Sequence, residues 1–151
     1  MTPYPWELRD PAAAVDGIAR RHRLYPGVVV AALVELPSTT QQLLDTMVVY
    51  EGDDPPSDAR VCALLAQEAA RQLFEPRATI GPPRHSFVTI VARNGDLAFE
   101  PAEYSWLIGW QHADHRLPVY TGELILLTEQ GWRAEHDHSN LTGFSPVLVA
   151  A

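Results

Sequence analysis

Four of the six histidines fall into two tight pairs. His112 and His115 stand three apart near the end of a helical pattern, so both project to the same side of a helix. His136 and His138 stand two apart in or just after an extended run, and so share one face of a strand. Together they offer four imidazoles, with Asp114, Glu135 and Asp137 interleaved. Imidazoles and carboxylates suit zinc or iron(II), and a carboxylate beside a ligating histidine can accept the proton of its second ring nitrogen. If the helix end and the strand end meet at one rim of a sheet, a metal-dependent hydrolase follows. Three imidazoles would hold the ion, and Glu135 or Asp137 would act as general base on a bound water of lowered pKa.

An ordinary structural role explains the same residues. His112 and His115 continue the apolar stripe of their helix, and a cationic histidine is favourable at a helix C-terminus. His136-Asp-His138-Ser-Asn140 reads as a solvated loop. Two templates for a His-x-His pair also fail here: cupins require a glutamate soon after it, and the JAMM metalloproteases a serine followed by an aspartate. No glutamate or aspartate follows His138.

Other nucleophiles are less well placed. Cys62 lies between Val61 and Ala63 in an amphipathic helix, where a free cysteine is a small buried hydrophobe. His85, between Arg84 and Ser86 at a strand start, has the form of a general base next to a serine, and equally of a surface joint after Pro82-Pro83. Glu51-Gly-Asp-Asp54 offers oxygen ligands but lacks the spaced acidic ladder of a calcium loop. The chain has no Gly-x-Ser-x-Gly elbow and no Gly-x-Gly-x-x-Gly phosphate loop.

Composition excludes more. All eleven basic residues are arginine. Without lysine there is neither a P-loop nor Schiff-base chemistry. Arginine in place of lysine, with abundant Ala, Pro and Val, is the composition of a GC-rich bacterial genome. The formal net charge of −8 repels phosphate backbones and anionic bilayers, so neither nucleic acid nor membrane is an expected partner. Arg20, Arg21 and Arg23 form the only basic cluster. One cysteine forms no internal disulfide, and Met1 to Asp10 shows no secretory pattern, so a cytoplasmic location is expected.

The aromatic residues give the remaining clue. Tyr104, Trp106, Trp110, Tyr120 and Trp132 gather in the C-terminal half. Trp106 and Trp110, four apart, project from one side of a helix, offset from the Tyr104–Ile108–His112 stripe. Bordered by Arg116 and the histidines, an exposed tryptophan pair with Trp132 has the composition of a protein-binding surface. The alternative is a fully buried helix on which Trp6 packs.

The elements that must position these groups are punctuated by thirteen prolines. Asp10 caps a helix with Pro11 at its first position, ending before Pro26-Gly27. Val28 to Leu36 is a buried strand, hairpinned to a strand from about Leu43 to Glu51. Ser57 or Asp58 caps a helix through Leu73 that buries Val61, Leu64, Leu65 and Ala69. Asn94-Gly95 between Ser86–Arg93 and Asp96–Phe99 predicts a type I′ hairpin. Pro101 opens a third helix, ended by Pro118. Glu123–Thr128 returns through Glu129-Gln130-Gly131 to a strand from Trp132 to about Asp137, and Pro146–Val149 adds an edge strand.

These readings converge on a single α+β domain spanning 1–151, a two-layer arrangement of about three helices on a mainly antiparallel sheet of five or six strands. A length of 151 residues allows roughly 70% of the unfolded chain's surface to be buried. Because every catalytic template lacks a required residue, the expected function is that of a small accessory or binding protein acting through protein–protein contacts without a cofactor. Its partner would be another protein or a second copy in a homodimer. The metal-dependent hydrolase carrying zinc or iron on His112, His115, His136 and His138 stands as the alternative.

Overall fold

The computed structural model describes residues 4–53, 56–77, 80–113, 118–135, 142–143 and 148–149. Helix α1 (Pro11–Arg21) begins as its sequence requires: the Asp10 carboxylate accepts the Ala13 backbone N–H at 3.1 Å, and Pro11 occupies the first helical position. Strand β1 (Val28–Glu35) follows and pairs antiparallel with β2 (Gln42–Glu51). The Gln41 side-chain amide brackets the backbone of Asp10, accepting its N–H at 2.6 Å and donating to its carbonyl at 2.7 Å. The β1–β2 turn is thereby tied to the start of α1.

Helix α2 (Ala59–Leu73), capped by the Asp58 carboxylate, carries the chain over β1 to β3 (His85–Ala92). Helix α3 (Pro101–Ala113) then carries it to β4 (Tyr120–Thr128), which pairs parallel with β3. Among the described residues, the hairpin strand β5 (Gly131–Ala134) and the short β6 (Thr142–Gly143) complete a six-stranded sheet in the order β2-β1-β3-β4-β5-β6. Leu148, within the expected last strand, bridges Leu24 in parallel.

The α+β class and the mainly antiparallel sheet are as the sequence predicts. The number of layers differs. Side chains alternate across a strand, and the alternate residues Val28, Val30, Ala32 and Val34 pack with Val15 and Ile18 of α1 on one face. Ala31 and Leu33 meet Ala66, Ala70 and Leu73 of α2 on the other, where Val29 and Val91 meet Cys62 and Trp106. The helices therefore cover both faces, giving three layers. Double coverage explains why β1 and β3 are buried along nearly their whole length instead of on alternate residues.

The hairpin expected at Asn94-Gly95 does not form. Gly95 takes a positive φ of 122°, as a turn there requires, but the chain after it enters α3. Arg93 redirects it. The guanidinium donates to the carbonyls of Asn94, Asp96 and Ala98 and to the Glu103 carboxylate, wrapping residues 94–98 around one cation. Glu103, almost fully buried, also accepts the Glu100 N–H at 2.9 Å and so caps α3. Beside β3 the ladder goes instead to β4, whose Leu124–Leu127 run is completely buried there.

Strand β2 forms one edge of the sheet and is irregular. Its pairing with β1 skips Leu44 and Val49, a bulge at each. Arg21 of α1 donates to the carbonyls of Leu43 and Leu44 at 3.3 and 3.2 Å. Asp45 carries a charge near the centre of the edge, 3.6 Å from Arg77.

Candidate interaction surface

The outer helical layer owes its shape to small residues. The face of α2 turned inward is Cys62, Ala66, Ala69, Ala70 and Leu73. Small side chains let α2 lie close to the sheet and to α3. At the α2–α3 crossing stands Gly109, where a Cβ would come within 2.8 Å of the Ala63 backbone nitrogen and 2.9 Å of Cys62. Ser105 fastens the same crossing by donating its hydroxyl to the Ser57 carbonyl at 2.7 Å.

This register rotates larger apolar groups outward. Val61 and Leu64, expected in the core, are 42% and 68% exposed. The stripe on α3 is reversed in the same sense. Trp106 and Trp110 turn inward, Trp110 stacking on Phe87 with ring centroids 4.4 Å apart, while Tyr104 and Ile108 are each 42% exposed. Between the helices lies a groove of about 490 Å³ lined by Ala59, Arg60, Ala63, Leu64, Gln67 and His112. Ile108 and Tyr104 stand one and two turns before His112 on the same side of α3.

The expected tryptophan surface is thus corrected. Trp106, Trp110 and Trp132 are all buried, the first two beneath α3 and the third on the α1 side of the sheet. The physical reason is area: seating an indole against the sheet removes more apolar surface from water than seating an isoleucine or a tyrosine. Arg116, the fourth residue assigned to that surface, lies outside the described residues.

The proposed metal ligands are only partly visible. His112 is exposed and lines the groove with α2. His115, His136 and His138 lie outside the described residues, as do Asp114 and Asp137. Among the described residues no three His, Cys, Asp or Glu groups gather as a metal site would require. The segments that bear the histidines do attach at a common rim. Gln111 from α3 and Glu135 just after β5 line one cavity of about 260 Å³ with Trp6, Leu107, Tyr120, Thr121 and Gly122. Trp6 thus lies beside α3, stacked on Tyr4.

The remaining candidates are buried. His85 and Ser86 are 2% and 1% exposed, and as neighbours in a strand they point to opposite faces. Burial holds the His85 imidazole below its ordinary pKa, against the opposing pull of Glu35. Phe74 meets its ring edge-on at 5.5 Å. Burial likewise pushes the Cys62 thiol up to about 11, which removes the thiolate a nucleophile needs. In the acidic loop Glu51 accepts the Tyr25 hydroxyl, and Asp54 is outside the described residues. Of the basic cluster, Arg20 and Arg21 line a cleft of about 270 Å³ beside α1. Arg21 is already committed there to the backbone of β2.

No helix is long and apolar enough to cross a membrane among the described residues. No protein family, curated protein or solved structure matches this chain.

Proposed function

We propose that this chain is a small accessory protein that acts by protein–protein contact, and that the contact is made by the outer face of α2 and α3. The observation that carries the reading is Leu64, 68% exposed beside a groove of about 490 Å³, with Val61, Ile108 and Tyr104 exposed on the same helical layer. Single exposed apolar side chains are ordinary, but several on one helical layer, with Leu64 among them lining a concavity, mark a binding surface. The flanking Arg60, Gln67 and His112 supply the polar rim that such a surface carries. A Leu64→Asp, Ile108→Asp variant tests it by cross-linking of the tagged chain in its own cells. Wild type is expected to yield a defined adduct above the 16.7 kDa of the chain, and the variant to lose it. An adduct of equal yield from both would overturn the reading.

A metal-dependent hydrolase is the second reading. It is favoured by one observation, the cavity shared by Gln111 and Glu135 at the rim where the two histidine-bearing segments attach. Three of His112, His115, His136 and His138 would hold zinc or iron, and Glu135 or Asp137 would take the proton from bound water. Elemental analysis of tag-free protein and of a His136→Ala, His138→Ala variant decides it. Near-stoichiometric metal lost in the variant supports a metal centre, and its absence after incubation with excess zinc overturns one.

A further inference from the structure

Resting on the reading of the α2–α3 face as a docking surface, we propose that its occupant is a second copy of this chain, packed antiparallel through α2 about a two-fold axis at Leu64. The first argument is shape. An isologous contact uses one patch twice, so the patch must complement itself. A protruding leucine at the axis does so: the two Leu64 side chains pack against each other, each at the edge of its own groove with Ala63 and Gln67.

The second argument is charge. When two identical helices cross antiparallel at one residue, positions equally far before and after it come face to face. Four residues before Leu64 is Arg60, and four after it is Glu68, both exposed. Each Arg60 therefore meets the partner subunit's Glu68, and the two-fold axis makes the contact twice. Arg71 and Gln72 already hold the Glu68 carboxylate in place on the outer side of α2. A carboxylate has about four acceptor sites, which leaves room for a further donor. Three residues from the axis, Val61 of one copy lies over the methylene stem of Gln67 of the other, leaving the amide at the rim. The same helix packed parallel would set Arg60 against the partner subunit's Arg60, so the charge pattern selects the antiparallel orientation.

The test is sedimentation equilibrium of the full chain over a concentration series. The set is wild type, Leu64→Asp, Arg60→Glu, Glu68→Arg and the Arg60→Glu, Glu68→Arg double reversal, each checked by far-ultraviolet circular dichroism. Wild type is expected at twice 16.7 kDa and Leu64→Asp at 16.7 kDa with an unchanged spectrum. Each single reversal places like charges together and is expected to raise the dissociation constant about tenfold or more. The double reversal restores the pairing and returns it to within about threefold of wild type. Arg71 within the same subunit does not differ between Glu68→Arg and the double reversal, so their comparison isolates the contact between copies.

A wild type that stays monomeric overturns the self-association. So does a dimer indifferent to Leu64→Asp, or a double reversal no better than either single one. The two readings fail separately. If wild type is monomeric and its cellular cross-linked adduct is still lost in the Leu64→Asp, Ile108→Asp variant, the face docks a different protein and only the second copy is excluded. If the adduct is also indifferent, the docking surface is excluded with it.

Discussion

Two parts of this molecule present groups that another chain could complete, and they are treated in opposite ways. Strand β2 offers ten residues of backbone at a sheet edge, an arrangement that invites pairing with any extended segment. It is interrupted by bulges at Leu44 and Val49, covered at two carbonyls by Arg21, and charged at Asp45. The outer face of α2 and α3 instead leaves Val61, Leu64, Tyr104 and Ile108 partly in water. The difference teaches which contact the sequence resists. Backbone pairing is indiscriminate, because every strand carries the same donors and acceptors. A helical face bounded by Arg60, Glu68 and His112 can discriminate by shape and charge.

The strongest test of that contrast compares the two sides of the helical layer. Trp106→Ala empties a buried site, and unfolding in urea should show a loss of about 3–5 kcal/mol. Leu64→Ala removes a side chain from water, and the same measurement in dilute protein should move by about 0.5 kcal/mol or less. A loss at Leu64 as large as that at Trp106 would place it in the core and dissolve the comparison.

A smaller effect should come from pH. The folded His85 imidazole titrates below 6.5 because burial disfavours its cation. Between the folded and unfolded pKa values the unfolded chain therefore holds the extra proton, so this contribution is fully present above pH 6.5 and falls as pH drops beneath it. Its limiting slope is about 1.4 kcal/mol per pH unit. In stability curves measured over pH 7.5 to 4.5, wild type should lose stability relative to His85→Leu on acidification. Parallel curves would show that the imidazole keeps its ordinary affinity for protons in the fold.

The smallest change in stability, about 0.5 kcal/mol, is expected from unguarding the edge with Arg21→Ala and Asp45→Val. The consequence for association should be larger than the consequence for folding. Made in a Leu64→Asp background, the pair should produce slow, concentration-dependent assemblies that bind thioflavin T. A clear solution over days would show that the bulges alone close the edge.

What the sequence made legible follows from the range of the forces involved. Asp10-Pro11 and Asp58 announced their helices because capping is settled within a few residues. The β1–β2 hairpin and the β4–β5 return were legible for the same reason. Asn94-Gly95 misled because the decisive partners of Arg93 include Glu103, ten residues away, and because β4 competes for the same edge of β3. The outer surface was misread through the register of α2. Of the stripe Val61, Leu64, Leu65 and Ala69 only Ala69 is fully buried, because close packing selects it together with Cys62, Ala66 and Ala70. Gly109 in mid-helix was the signal available, since a glycine there marks a close neighbour more often than a mere weakness. In α3 the run Trp106 to Trp110 is unbroken by a polar residue, so periodicity could not choose between the tryptophans and the Tyr104–Ile108 stripe.

The packing of Cys62 gives the molecule an internal clock. Its thiol is fully buried at the α2–α3 crossing, donates to the Pro56 carbonyl at 3.6 Å, and is the chain's single sulfhydryl. A thiol reagent can meet it only during excursions in which the helical layer parts. The rate of its modification in native buffer therefore measures the free energy of that local opening, separately from global unfolding. Any partner that seats on the outer face should slow the modification in proportion to its occupancy, without touching the cysteine.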